Sequence, residues 1–343
     1  MSPKGCEQKQ PLPMPPEYST KQNFRQGAEA ELPFDPAIVD KFDYFPYPST
    51  QGPQPTEAGM NPTLEASLRQ AYEDFASTKG RRIIPGLNET PSQEFLDNIL
   101  HRATILPRLQ LESPEVQALI YILGTESATG DYHRVLSRTS SGRARAFQGI
   151  ARFMGDWSPE EVMHGKVLTA YLQGRGIGTS RLIVPKPTFA WEVKKHVQAL
   201  WSWGFPLPFT TLHMLVGYTT EMLARITYKE LAEHFNCALF SELAEGIIRD
   251  ENRHAGFYYN AARILLLTSE PLQRFMGPFL QATWKPPGMS EKESSGEARA
   301  LKDLYRVGNT AEGFRETSRK ISRLPGLSQV DLAATLERRL ASL

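Results

Sequence analysis

The chain has 343 residues, with 39 basic and 38 acidic side chains for a formal net charge of +1, and two cysteines. This balance leaves no electrostatic footprint for nucleic acid or for an anionic membrane surface. Cys6 and Cys237 support neither a disulfide framework nor a thiolate metal site, so a reducing, cytoplasmic setting and oxygen-and-nitrogen ligation are expected.

In chain order, the opening MSPKGCEQKQPLPMPP lacks an apolar signal core, and Glu7, Glu17, Glu29 and Glu31 do not suit a transit peptide. Residues 1–62 hold 12 of the 26 prolines and an aromatic run from Phe42 to Tyr47, which predicts an extended arm partly docked by its aromatics. Residues 63–343 read as one helical domain that ends in a helical pair. Thr90-Pro91 and Ser113-Pro114 both have the capping-residue-then-proline form of a helix start. Helices are predicted near 63–80, 91–107, 114–138, 143–172, 188–203, 209–236, 238–268, 297–322 and 328–342. No proline lies between Pro208 and Pro271, which fits two long antiparallel helices. The uncharged stretch from Val197 to Thr220 is broken by Pro206, Pro208 and polar residues, so a buried hairpin is expected and not a membrane span. Strand-like alternation is confined to Arg181–Val184, and a polar loop is expected from Lys285 to Gly296.

Two short motifs carry the chemistry. Glu161-x-x-His164 and Glu251-x-x-His254 lie 90 residues apart, and each Glu follows another acid, Glu160 or Asp250. A Glu and a His three residues apart project from one helix face. Chance alone gives two such acid-Glu-x-x-His motifs with odds of ~1 in 600. Both sit in apolar stripes at helical spacing: Ile150, Met154, Trp157, Glu161, His164, Leu168 and Tyr171, then Ala244, Ile247, Glu251, His254, Tyr258, Ala262 and Leu265. An unpaired Glu in a core stripe costs several kcal/mol, so each motif either breaks a folding rule or binds something. Two bland alternatives exist. Ser158, Pro159 and Glu161 could form a helix start with Glu161 as the capping-box acid. The run from Asp250 to Arg253 could be a solvated face, with His254 a satisfied core histidine.

A two-metal cage in a four-helix bundle needs one more carboxylate on the helix before each motif. Glu126 precedes Glu161 by 35 residues on an apolar helix, and Glu221 precedes Glu251 by 30. Each interval suits one long helix folding back on the next. The predicted architecture is therefore all-α, a ferritin-like four-helix di-iron bundle with additional flanking helices. His133, two turns beyond Glu126, is expected to be a satisfied core or supporting residue. His101, His196, His213 and His234 have no acid at ligand spacing.

From about residue 62 to 285 the chain resembles the soluble acyl-acyl-carrier-protein desaturases. The resemblance rests on Glu126 alone, Glu160-Glu-Val-Met-His-Gly165, Glu221 alone, Asp250-Glu-Asn-Arg-His254, and Tyr171-Leu-Gln-Gly-Arg175. It implies two iron ions held by Glu126, Glu161, His164, Glu221, Glu251 and His254. Glu160 and Asp250 would stand behind the ligands, Asp250 orienting a histidine or carrying electrons inward. The implied activity is O2-dependent removal of two hydrogens from a fatty acyl chain on acyl carrier protein or another thioester. A ferredoxin-type protein would supply electrons, and the enzyme would be a homodimer without a membrane span. Trp201, Trp203, Phe205, Phe209, Met214 and Tyr218 are candidates for a substrate channel or simply for core, and Trp157 and Tyr258 for an electron relay or core.

One position departs from that family. Three residues after the lone Glu of the second half, the family has Thr and this chain has Ala224. The lost hydroxyl leaves hydroxylation or N-oxygenation of a small molecule or tethered intermediate as the alternative outcome. Di-iron N-oxygenases, however, carry a seventh ligand His four residues before the second motif's Glu, where this chain has Ile247. A metal-storage bundle and an all-α interaction module with buried carboxylates are the remaining alternatives.

Overall fold

The computed structural model describes residues 62–78, 93–137, 139, 147–178, 200–285 and 302–342. The arm predicted over 1–62 therefore lies outside the described residues except for Pro62, as do Arg181–Val184, the expected 285–296 loop beyond Lys285, and the predicted 188–203 helix up to residue 199. The fold is all-α, with no strand among the described residues. Its main helices are α1 (Pro62–Ser77), α2 (Gln93–Thr104), α3 (Pro114–Leu136), α4 (Gln148–Gly174), α5 (Pro206–Phe235), α6 (Ala238–Leu266), α7 (Glu270–Thr283), α8 (Thr310–Ser322) and α9 (Leu332–Ser342).

Four of these make a closed ring of pairings, α3 with α4, α4 with α6, α6 with α5, and α5 with α3. The α5–α6 pair is the most extensive. Its two helices have 30 and 29 residues, each about 45 Å long at 1.5 Å per residue. Between them Asn236 takes a left-handed conformation at φ 41°, a cost that Asn tolerates better than most residues. The chain reverses there within two residues. Helices α1 and α2 pack on the outside of α4, α1 also touching α6, while α7 and α8 lie against α5 and α9 against α8.

Helix α4 runs unbroken through Pro159, so Ser158 and Glu161 do not form a helix start. Proline removes one backbone hydrogen bond, but Met154 and Trp157 before it and Glu161 and His164 after it are all buried on one face. Tertiary packing holds the helix through the gap.

Three expectations need correction. Helix α7 was not among the predicted helices, although Ser269 caps it by accepting from Leu272 N–H and Pro271 sits in its first turn. Pro278 lies inside it, yet Leu272, Met276 and Leu280 form a buried stripe at i, i+4, i+8. The continuous helix expected over 297–322 is interrupted at Gly308, where φ is +46° and Glu230 Oε2 accepts from Asn309 N–H at 2.8 Å. The expected buried hairpin from Val197 to Thr220 is only partly buried: Leu200, Trp203 and Phe205 are 73%, 49% and 59% exposed. Only one side of that segment reaches the interior, where Trp201 packs on Phe209 and Phe279.

The crossing of α1 over α4 is set by Gly149. A Cβ there would lie 2.3 Å from the Leu68 carbonyl oxygen, which is backbone and cannot rotate away. Gly149→Ala is therefore expected to lower stability by roughly 1–3 kcal/mol, read from the urea midpoint. An unchanged midpoint would mean that the two helices are not held at this distance.

Candidate metal centre

Each helix of the four-membered ring contributes acids to one buried cluster. Glu126 comes from α3, Glu161 and His164 from α4, Glu221 from α5, and Glu251 and His254 from α6. All fourteen residues of the two apolar stripes that carry the motifs are buried, so the helical periodicity does place both Glu-x-x-His pairs in the core. The run around Asp250 is no solvated face, since Asp250, Glu251, Arg253 and His254 are all buried.

The cluster divides into two overlapping sets of donors. One comprises Glu126, Glu161, His164 and Glu251, the other Glu161, Glu221, Glu251 and His254, with the donor atoms of each set within 4.8 Å of one another. Around His164 Nδ1 stand Glu251 Oε1 at 3.3 Å and Glu126 Oε2 and Glu161 Oε1 both at 3.9 Å. Around His254 Nδ1 stand Glu161 Oε1 at 2.9 Å and Glu221 Oε2 and Glu251 Oε2 both at 3.7 Å. Glu251 thus turns one oxygen to each histidine, and Glu161 lies between them. Donors bound to one ion at about 2.1 Å sit roughly 3–4 Å apart, so these separations fit a cation in each set.

Six of these atoms have no hydrogen-bond partner: Glu126 Oε2, Glu161 Oε1, both Glu251 oxygens, and Nδ1 of His164 and of His254. The 2.9 Å approach of His254 Nδ1 to Glu161 is close but not aligned as a hydrogen bond. Buried polar atoms are nearly always satisfied, so six unsatisfied ones lining a common space would be satisfied by a bound cation. The donor chemistry fits metal, and each set could hold an ion.

The outer face of the cage fixes the histidine tautomers. His164 Nε2 lies 3.3 Å from Asp250 Oδ2, and His254 Nε2 lies 2.8 Å from Glu160 Oε2. Burial alone would raise both acids. The hydrogen bond from His254 and the charges of His254 and Arg253 outweigh it at Glu160 and hold it at about 2, and the His164 and Arg253 contacts hold Asp250 far below the usual range. Ionised carboxylates only accept, so they hold a proton on each Nε2, and a histidine that gives up its second proton presents the Nδ1 lone pair to the cage. Arg253 ties the two acids together, donating from one nitrogen to Glu160 at 2.6 Å and to Asp250 at 2.7 Å, with its guanidinium 4.6 Å over the Phe75 ring. Glu160 and Asp250 therefore sit where acids supporting the ligands would sit.

Inside the cage the carboxylates compete. Burial, then repulsion from Glu251 and its neighbours, pushes Glu126, Glu161 and Glu221 up, while the close approach of Glu221 and both histidines overcomes burial and pulls Glu251 down. Both histidines are raised well above their ordinary value because their acid partners outweigh burial. Protons thus occupy the cage where cations are lacking.

Two further side chains hold the ligands from α5 and α4. Tyr228 of α5 donates its hydroxyl to Glu126 Oε1 at 2.6 Å, and Trp157 of α4 donates Nε1–H to Glu221 Oε1 at 3.0 Å. Tyr228 is not singled out by the sequence reading, and Arg253 enters it only as part of the Asp250–His254 motif, with no role assigned. Tyr228 is seven residues from Glu221, two turns along the same face, and this spacing is the signal that marks it. Phe75, Phe153, Phe257, Tyr258 and Trp157 form an aromatic wall beside His254, with Phe153 and Phe257 stacked at 3.9 Å. Of the channel candidates, Phe209, Met214 and Tyr218 are buried, whereas Trp203 and Phe205 are exposed. Among the other histidines, His133 is half-buried, the exposed His234 meets Glu115 at 3.4 Å, and the buried His213 packs against Tyr258 and is held at about 3 by burial.

The sequence matches no known family model and no curated protein. No helix among the described residues is long and apolar enough to cross a membrane.

Since protons and cations compete for one cage, adding a divalent metal at pH 7 is expected to release protons, and affinity should fall as pH is lowered. Isothermal titration in buffers of different ionisation enthalpy measures this, and binding without proton release would contradict the protonated cage. Asp250→Asn and Glu160→Gln remove the acids that set the tautomers and should each weaken metal binding by about 10–100-fold.

Proposed function

We propose that this protein is an O2-dependent di-iron oxidoreductase that desaturates a fatty acyl chain carried as a thioester, with acyl carrier protein as the expected carrier. The observation that carries this is the pair of buried donor sets sharing Glu161 and Glu251. Four carboxylates and two neutral imidazoles match the charge of two divalent ions, and this hard donor set suits iron or manganese. Among dimetal carboxylate bundles, the Glu160-Glu-x-x-His-Gly and Asp250-Glu-x-Arg-His forms favour the acyl desaturases. The ferritin-like name for the bundle belongs to this same proposal.

When bound, a pair of irons supplies dioxygen activation, which no protein side chain can perform. Glu126, Glu161, His164, Glu221, Glu251 and His254 would hold it. Glu160 and Asp250 keep the histidine protons on Nε2, so that both Nδ1 atoms stay free to bind. Arg253 neutralises these two acids and keeps them from turning into the cage. The aromatic wall from Phe75 to Tyr258 excludes water on the His254 side. Buried Phe209, Met214 and Tyr218 lie on α5 ahead of Glu221, where an apolar chain would be accommodated by dispersion and exclusion of water. Electrons come from outside, from a ferredoxin-type donor, and a homodimer is the proposed assembly.

Oxygen insertion is the second outcome, favoured by Ala224, which offers no hydroxyl one turn beyond Glu221. N-oxygenation of the seven-ligand kind has less support, because Ile247 is fully apolar and buried where its extra histidine would stand.

The test is to supply iron-loaded protein with reduced ferredoxin, dioxygen and a series of acyl-carrier thioesters, then weigh the products. Loss of two hydrogens supports desaturation, and gain of one oxygen supports hydroxylation. If no thioester is changed or accelerates dioxygen consumption, the acyl assignment fails.

A further inference from the structure

We propose that Tyr228 is a positioning residue that limits Glu126 to a single metal bond and so keeps a coordination position open for an exogenous ligand in the His164 half of the cage. This rests on the dimetal centre proposed above. Glu126 has two oxygens in different surroundings. Oε1 accepts the Tyr228 hydroxyl at 2.6 Å, while Oε2 has no hydrogen-bond partner and lies 3.9 Å from His164 Nδ1. The acid is thereby pulled apart, one oxygen toward α5 and the other into the cage. A carboxylate that chelates one ion must bring both oxygens to it, and the hydroxyl opposes that rotation.

The phenol is suited to this task. It is fully buried, so water does not compete for its proton. A phenol hydroxyl carries no charge, so it donates to Glu126 and does not repel the acid beside it. Its ring is fixed within the core of α5, and the α3–α5 pairing brings Glu126 to it. Trp157 makes the corresponding contact to Glu221 at a longer 3.0 Å, and an indole N–H is a weaker tether than a short phenol hydrogen bond. The two ends of the cage are held unequally, and the more firmly held acid is the one beside His164.

A position kept free by Tyr228 would be open to a small anion from solution. Azide is a convenient probe, since it binds an open site on oxidised iron and adds a charge-transfer band. In iron-loaded Tyr228→Phe, which loses only the hydroxyl, Glu126 can swing to bind through both oxygens. The expected result is two irons per chain as in the wild type, a similar melting temperature, and azide affinity weaker by roughly tenfold or more. A merely structural role for Tyr228 would lower iron content or melting temperature instead, and either change with azide affinity unaltered overturns the proposal. Unaltered azide affinity with two irons bound overturns it as well. Wild-type protein that takes up no metal sinks the dimetal centre itself, and this proposal with it.

Discussion

Burying four carboxylates in the middle of a helical bundle is the constraint on which the rest of this structure depends. A lone ionised carboxylate in an apolar interior costs several kcal/mol after relaxation, and four within one cage repel each other besides. Glu126, Glu161, Glu221 and Glu251 are all essentially inaccessible to water. Such an arrangement persists only if positive charge is delivered to it, by protons or by metal. The three raised carboxylates and two raised histidines describe the first state, and the six unsatisfied donor atoms point to the second.

The helices serve that cage. Long helices are needed because each must carry its acid at mid-length with apolar residues on both sides. The α5–α6 pair meets this need with its proline-free middle and left-handed turn at Asn236. Behind the cage, Glu160 and Asp250 form one charged layer against the histidines, and the Arg253 guanidinium, which donates to both acids, forms the next. The guanidinium partly neutralises the two acids inside it. Breaking any layer leaves an uncompensated buried charge, so this part of the core tolerates substitution less than its apolar surroundings do.

Much of this was legible in the sequence because metal cages impose spacing. A Glu and a His at i and i+3 must share a helical face, and an acid in an apolar stripe has no ordinary place to go. Those two facts bring Glu161, His164, Glu251 and His254 together, and the lengths of the intervening helices bring Glu126 and Glu221. Contacts between helices that share no motif were hidden. Tyr228 reaches Glu126 from another helix, and nothing in a single chain pairs residues 102 positions apart. Helix α7 was obscured by Pro271 and Pro278, although the first is an ordinary helix opening. The uncharged segment near Trp203 shows a further limit: apolar composition measures affinity for a core but not which side of the segment meets it.

The most direct test of the proposed dimetal centre is to count and locate iron in purified protein, combining metal analysis with the iron–iron distance from X-ray absorption. Two ions per chain roughly 3.5–4 Å apart, both lost in the Glu161→Ala, Glu251→Ala double variant, are predicted from the shared acids. One ion or none per chain, or two ions retained by the double variant, would contradict it and leave the buried carboxylates to be explained by protons alone.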